Sequence, residues 1–363
     1  MAGRFNTAPV RVLIVDDSAM IRKVLSLGLA SDPGIEVVGT ASDGEQALEM
    51  VRRLSPDVVT LDIEMPRIDG VTFLRRMMPE RPVPTVVISG VTSEGADVTL
   101  RALEAGAVDI ITKPSLGIGK GLPRIMTEIC KRVRAAAGAR PVIGRPLWQL
   151  RAIPRQRTVQ SDHVIVIGAS TGGVQALSSI LPMMPVNAPA IVIVQHMPEG
   201  FTASFAKRLN AGCAIQVREA QDGDPVAPGT ALIAPGGTRH LALRGRKPHL
   251  RVALEGGPPV CFSTPSVDVL FQSAARLIGT DCAAALLTGM GKDGAEGMLQ
   301  IRHAGGRTIA QDEETSVVWG MPGQATAIGA AERVLPLKYI AAALLDPPTG
   351  QLPQFRKQEG HCL

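Results

Sequence analysis

Short runs of aliphatic and β-branched residues alternate with amphipathic stretches, and the alternation occurs twice along the chain. This pattern restricts the fold more than any other feature. A strand that reads as apolar on both faces must be covered on both faces, and helices in the connections supply that cover. In the first alternation the runs are VRVLIV, IEVVGT, DVVTLD, PTVVIS and AVDIIT, all within residues 10–135. Ala19 to Ala30 reads as a helix capped by Ser18 and stopped at Asp32-Pro33-Gly34. Gly44 to Leu54 reads as a second helix, capped by Asp43 and ended at Ser55-Pro56. The second alternation, residues 161–346, opens on HVIVIGAS and AIVIVQH and continues through ALIAP, HLAL and RTIAQ. Gly245 to Phe262 is richer in Gly and Pro, with the character of a small antiparallel hairpin. The expectation is α/β in two domains, each a mostly parallel sheet flanked by helices. They are joined by an aperiodic linker over 136–160 with three prolines and many arginines. The tail from Pro347 is expected to fray.

A length of 363 residues suits two domains, and 45% apolar residues suffice for two cores. With aromatics at only 3%, those cores must be built from Val, Ile, Leu, Ala and Met. The net charge of +5 is concentrated between Lys131 and Arg157. No base-stacking aromatics interleave this basic stretch, so it reads as a solvated linker, and no nucleic-acid partner is expected. Cys130, Cys213, Cys261, Cys282 and Cys362 are widely spaced, which argues for reduced thiols, not a disulfide frame or a zinc site. The N-terminal stretch meets acids too early for a signal peptide, and no apolar run would span a bilayer. A cytoplasmic protein without membrane insertion is expected.

Chemistry-bearing residues stand at the ends of the strand-like runs. Asp16 and Asp17 end the first, Asp62 the third, Ser89 the fourth, and Lys113 the fifth. Strand ends of a parallel sheet share one edge, where ligands bind. Three close carboxylates repel one another unless a hard cation sits among them, and magnesium suits such oxygens. Asp62 then reads as a nucleophile that becomes an aspartyl phosphate, with Lys113 and Ser89 on the phosphoryl oxygens. Acids capping helix starts would account for Asp16 and Asp17 equally well.

In the second half, HVIVIGASTGG places Ser170 in a glycine turn between a strand and a helix. The turn would expose its hydroxyl near a helix N-terminus, and Gly168, Ser170 and Gly172 match G-x-S-x-G. A plain tight turn is the rival reading; no Lys follows Gly173, so a phosphate-cradling loop is disfavoured. His196 ends the run AIVIVQH and so should reach the same edge. His240, at the end of APGGTRH, is its serious rival. His163 begins a strand, on the wrong edge. Asp293, in ALLTGMGKDGA, is either a turn Asp before Gly or the acid that orients an imidazole. Ser170, His196 and Asp293 at three strand ends would form a catalytic triad.

Two resemblances follow from these motifs. VDDS, LDIEMPRIDG, ISG and TKP, in order and at strand ends, resemble a bacterial response-regulator receiver domain of flavodoxin-like fold. GASTGG, VQHMP, FTASFAKRLN, IAPGG, PSVDVLF, LTGMGKDGA and QDEETSVVWGMP together resemble the chemotaxis protein-glutamate methylesterases, the CheB family. The first resemblance implies phosphotransfer from a chemotaxis histidine kinase to Asp62. It also implies Mg2+ held by Asp16, Asp17, Asp62 and the Glu64 carbonyl, with Ser89 and Lys113 as switch residues. The second implies a doubly wound esterase with no cofactor of its own. Ser170, His196 and Asp293 are then its triad, the Met290 amide binds the oxyanion, and methylated chemoreceptors are the substrate. Deamidation of receptor glutamines is implied as well. The chain departs from the family in CFST before PSVDVLF and in the single Ser of ISG; neither position is a triad residue or Asp62. The competing readings are a triad hydrolase for another ester, a transcriptional response regulator, and a catalytically dead binding module.

Overall fold

The structure is a computed structural model that describes residues 8–90, 93–113, 122–141 and 163–346. Most of the expected linker, Pro114 of the TKP motif, Cys362 and the tail from Pro347 lie outside the described residues.

The first half folds around a five-stranded parallel sheet in the order β2-β1-β3-β4-β5. Its strands are β1 (Val10–Val15), β2 (Ile35–Ala41), β3 (Val58–Leu61), β4 (Thr85–Ser89) and β5 (Asp109–Thr112). Helices α1 (Ala19–Ala30), α2 (Gly44–Leu54), α3 (Gly70–Glu80), α4 (Ser93–Glu104) and α5 (Leu122–Ala137) make the crossovers. The caps read from the sequence are present: Ser18 accepts from Ile21 N, and Asp43 from Glu45 N and Gln46 N. α1 buries Ile21, Leu25 and Leu29, one stripe at the helical period. The strand order reverses beside β1, so the carboxyl ends of β1 and β3 face a crevice.

The second half is built on a seven-stranded sheet, β14-β13-β12-β6-β7-β9-β8, with every strand pair parallel. The central strands are β6 (Val164–Ala169), β7 (Ala190–Gln195) and β12 (Cys282–Leu286). β8 (Gln216–Glu219) and β9 (Thr230–Ile233) extend one side, β13 (Arg307–Gln311) and β14 (Arg333–Leu335) the other. β6, β7 and β12 are buried along their whole length, as their unbroken apolar runs require. The chain enters at β6, winds outward through β7, then returns to the other side at β12. The switch point therefore lies between β6 and β12. Helices α6 (Gly173–Ile180), α7 (Thr202–Gly212), α8 (Val267–Leu277), α9 (Ala295–His303), α10 (Met321–Ala327) and α11 (Leu337–Leu345) flank the sheet.

The hairpin is antiparallel, but it starts earlier than the composition suggested. β10 (Arg239–Arg244) pairs with β11 (Arg251–Gly256), and Gly245 to Leu250 form the turn between them. The Gly and Pro content marked that turn, while the first strand carries the run HLAL read from the sequence, buried where β10 packs on α8.

Candidate active site

At the carboxyl edge of the first sheet, Asp16, Asp17 and Asp62 bring one carboxylate oxygen each within 4.8 Å of one another. Asp16 and Asp62 are buried and Asp17 is exposed. The Lys113 ammonium lies 2.7 Å from Asp62 Oδ2 and 3.2 Å from Asp16 Oδ2. Burial pushes the Asp62 carboxyl up to about 6 despite that ammonium, and raises Asp16 as well. For Lys113, burial acts to lower the pKa, but the two aspartates outweigh it and the net shift is upward. Apart from Lys113, Asp16 Oδ2 and Asp62 Oδ2 have no hydrogen-bond partner among the described residues. Buried, under-solvated carboxylate oxygens of this kind fit a magnesium ion, which would supply the missing charge. The Glu64 side chain is exposed, so only its backbone could face the group. Ser89 Oγ accepts from Thr99 Oγ1 of α4 at 3.1 Å, a contact no motif announced.

At the carboxyl edge of the second sheet, Ser170 follows β6, His196 follows β7, and Asp293 follows β12. The Ser170 turn is held from several sides. Its N–H donates to Thr288 O at 3.0 Å, and Gln195 Nε2 donates to its carbonyl at 2.9 Å. Gly172 has φ +80, and a Cβ there would sit 2.5 Å from Val317 Cβ. Gly289 must be glycine for another reason: its Cβ would fall 2.7 Å from Ser170 Cβ.

His196 Nε2 lies 2.8 Å from Asp293 Oδ2, with Asp293 buried and His196 partly buried. Asp293 also accepts from Ser266 Oγ at 2.8 Å, Val267 N at 2.8 Å and Asp268 N at 3.0 Å. Burial acts to raise its pKa, but the His196 contact and the α8 amides overcome that, and the net shift is downward. The carboxylate therefore stays ionised beside the imidazole. His196 N donates to Ala169 O at 3.0 Å, which fixes its backbone against the residue before Ser170. Among the described residues no hydrogen bond joins Ser170 Oγ to the ring; Ser263 Oγ lies 3.5 Å from Nδ1. So one departure from the family pattern, CFST, borders the imidazole. His240 is absent from the cluster. It is buried in β10, with Nε2 on Pro258 O and Nδ1 accepting from Ser266 N, one link behind Asp293. His163 contacts Leu344 O at the opposite strand end.

The first half closes over this site. Gly172 N donates to Val108 O at 3.1 Å, and Thr171 Oγ1 to Asp109 Oδ2 at 2.7 Å. Gln175 Nε2 on α6 donates to Leu103 O and Ala107 O at 2.9 and 2.8 Å. Arg208 on α7 pairs with Glu104 at 2.6 Å. The space left between Ser170, His196, Leu103 and Val108 is about 10 Å³, room for roughly one water.

Two family models match the chain: the response regulator receiver domain over residues 12–117 and the CheB methylesterase over 165–344. A protein-glutamate methylesterase/protein-glutamine glutaminase 2 of Cereibacter sphaeroides is 55% identical, over 95% of this chain and 94% of its own. The chain belongs to the CheB methylesterase family. A relative of the same name, numbered 5, from Anaeromyxobacter dehalogenans is 52% identical over 93% of this chain and 96% of its own. The Thermotoga maritima CheB methylesterase catalytic domain is 41% identical, over 51% of this chain and 98% of its own, with a TM-score of 0.49. The T. maritima CheB response regulator domain is 42% identical over 37% of this chain, with a TM-score of 0.34.

Family membership fits the two-domain α/β fold and the small antiparallel hairpin. Strand–helix alternation throughout the second half leaves no place among the described residues for a helix-turn-helix reader. No described helix is long and apolar enough to cross a membrane. Cys130, Cys213, Cys261 and Cys282 are all free thiols. The residues that sequence reasoning missed are the supports: Ser266 and Asp268 around Asp293, Thr288 and Gln195 around Ser170, and Gln175 and Asp109 at the seam. Ser266 and Asp268 lie inside the quoted PSVDVLF motif, Thr288 inside LTGMGKDGA and Gln195 inside VQHMP, and that location is the signal that could have drawn attention to them.

Proposed function

We propose that this protein is a phosphorylation-activated serine esterase that hydrolyses glutamate γ-methyl esters on chemoreceptors to glutamate and methanol. The same steps on a glutamine amide would release ammonia. The observation that carries the reading is the ionised Asp293 on His196 Nε2, with Ser170 on the adjacent strand end. Because Nε2 is engaged, Nδ1 is the nitrogen left to act as base. On this reading Ser170 Oγ attacks the ester carbonyl as its proton passes to Nδ1. Backbone amides hold the oxyanion, the Met290 N–H among them. His196 then protonates departing methanol, and water, deprotonated by the same nitrogen, cleaves the acyl-enzyme. The Ser170–His196 hydrogen bond must form on opening, since apo sites often tighten only with substrate.

The working division is a receiver over 10–135, a linker over 136–160 and a catalytic domain over 161–346. Asp62 takes the phosphoryl group from a histidine kinase. Asp16, Asp17, Asp62 and the Glu64 carbonyl would hold Mg2+, which when bound neutralises charge on the phosphoryl oxygens. Lys113 and Ser89 contact those oxygens. The resting receiver inhibits by filling the approach to Ser170, since a one-water space cannot admit a glutamyl ester. With these partners, and with no described helix long and apolar enough to cross a membrane, the protein would work in the cytoplasm.

Ser170→Ala should abolish methanol release from methylated receptor fragments; full retained activity would overturn the assignment. Generic esters assayed in parallel separate receptor specificity from broad esterase activity.

A further inference from the structure

Helices α8 and α9 exchange carboxylates at their N-termini. Asp293, just ahead of α9, accepts from Ser266 Oγ, Val267 N and Asp268 N at the start of α8. Asp268, in the first turn of α8, accepts in return from Gly297 N of α9 at 2.7 Å. The aim of Asp293 at His196 therefore depends on how the two helix ends are locked together. The second Asp268 oxygen accepts from Cys261 Sγ at 3.7 Å. Cys261 and Phe262 both hold positive φ, +49 and +66, a turn that L-residues adopt only when their surroundings enforce it. That turn delivers Ser263 to 3.5 Å from His196 Nδ1. One carboxylate thus ties down both flanks of the imidazole. It is kept at some cost: burial, followed by the charge of Asp293, pushes Asp268 up to about 6. A residue wanted only for packing would avoid a second buried carboxylate beside the first.

We propose that Asp268 is a positioning residue of the esterase: it locks the Asp293 loop on one side of His196 and the Cys261–Ser263 loop on the other, fixing the ring that serves Ser170. The inference rests on the triad reading given above. The test uses the full chain with saturating phosphodonor and methylated receptor fragment. Active sites are counted by the final extent of fluorophosphonate labelling. Ser170→Ala and Asp293→Asn test the triad itself; if both turn over normally, the triad reading fails and this inference with it, whereas both variants dead and Asp268→Ala at full speed overturns this inference alone. Asp268→Ala should lower kcat by roughly 10- to 100-fold per labelled site, the loss expected for a misplaced catalytic group, with KM within about twofold. Asp268→Asn, which keeps an acceptor for Gly297 N, should stay within about threefold of wild type. Wild-type kcat in Asp268→Ala overturns the proposal. So does a loss fully explained by fewer labelled sites, each working at normal speed, which is the mark of a merely structural role. Should Asp268→Ala fail to fold, Cys261→Ala decides. It should lower kcat a few-fold while Cys261→Ser, still a donor, restores it; wild-type kcat in Cys261→Ala overturns the proposal.

Discussion

Gln175 offers the sharpest test of receiver control. It stands on α6 outside the catalytic residues, yet its Nε2 donates to two receiver carbonyls, Leu103 O and Ala107 O. Its Oε1 is buried with no hydrogen-bond partner among the described residues, so the bonds the carboxamide makes there are those across the seam. Gln175→Ala removes both bonds; Leu103 O still accepts from Gly106 N at 3.1 Å, so the desolvation falls mainly on Ala107 O unless the domains part. At about 1 kcal/mol per net bond, the closed state loses roughly 2 kcal/mol, or about 30-fold in the closed-to-open ratio. If the resting enzyme is closed roughly 99 times in 100, basal activity should rise from about 1% to about a quarter of the phosphorylated maximum. Methanol release with and without a small phosphodonor reads both numbers on one sample. The phosphorylated rate should stay put, so the activation ratio collapses. Gln175→Glu should go further, because a carboxylate would face the same two carbonyl oxygens. A folded Gln175→Ala enzyme with unchanged or lower basal activity would refute the occlusion argument.

Other predictions concern the two sites. Asp62 has a raised pKa, so its folded form favours the protonated acid: the associated stability is full below about pH 4 and lost as pH rises through about 6. With Mg2+ chelated, Asp62→Asn should therefore be more stable than wild type by up to about 3 kcal/mol at pH 8, and equal to it near pH 4, by urea unfolding. A less stable variant at pH 8 would show that the Lys113 contact outweighs burial. Asp293→Ala should cut kcat by about 10³- to 10⁴-fold with little change in fold, judged by circular dichroism. Gly289→Ala forces a Cβ to within 2.7 Å of Ser170 Cβ, so it should cost about 1–3 kcal/mol and depress kcat together. Thr99→Val removes the hydrogen bond that ties Ser89 to α4, and α4 carries Leu103 to the seam. Its phosphodonor activation ratio should fall by about fivefold, equivalent to one net hydrogen bond, and an unchanged ratio would exclude this route.

The apolar runs were enough to read two parallel sheets, because strands buried on both faces leave a one-dimensional trace. VIVIGA and AIVIVQ could hardly be anything else. The candidate residues were legible for the same reason. Parallel strands point one way, so Asp62 and Lys113, or Ser170 and His196, fall on a shared edge wherever their strands lie in the sheet. Strand order was not legible. Pairing of β12 with β6, which brings Asp293 across to His196, is set by packing between segments more than a hundred residues apart. Strand-end position and the family resemblance favoured His196 over His240, and the path of the chain supplies the physical reason: it puts one imidazole on Asp293 and the other on Pro258 O. The seam was invisible as well. Gln175, Asp109 and Asp268 are ordinary polar letters in the sequence. They acquire meaning only when a second element, folded from a distant stretch, supplies the carbonyl, hydroxyl or amide that each one meets.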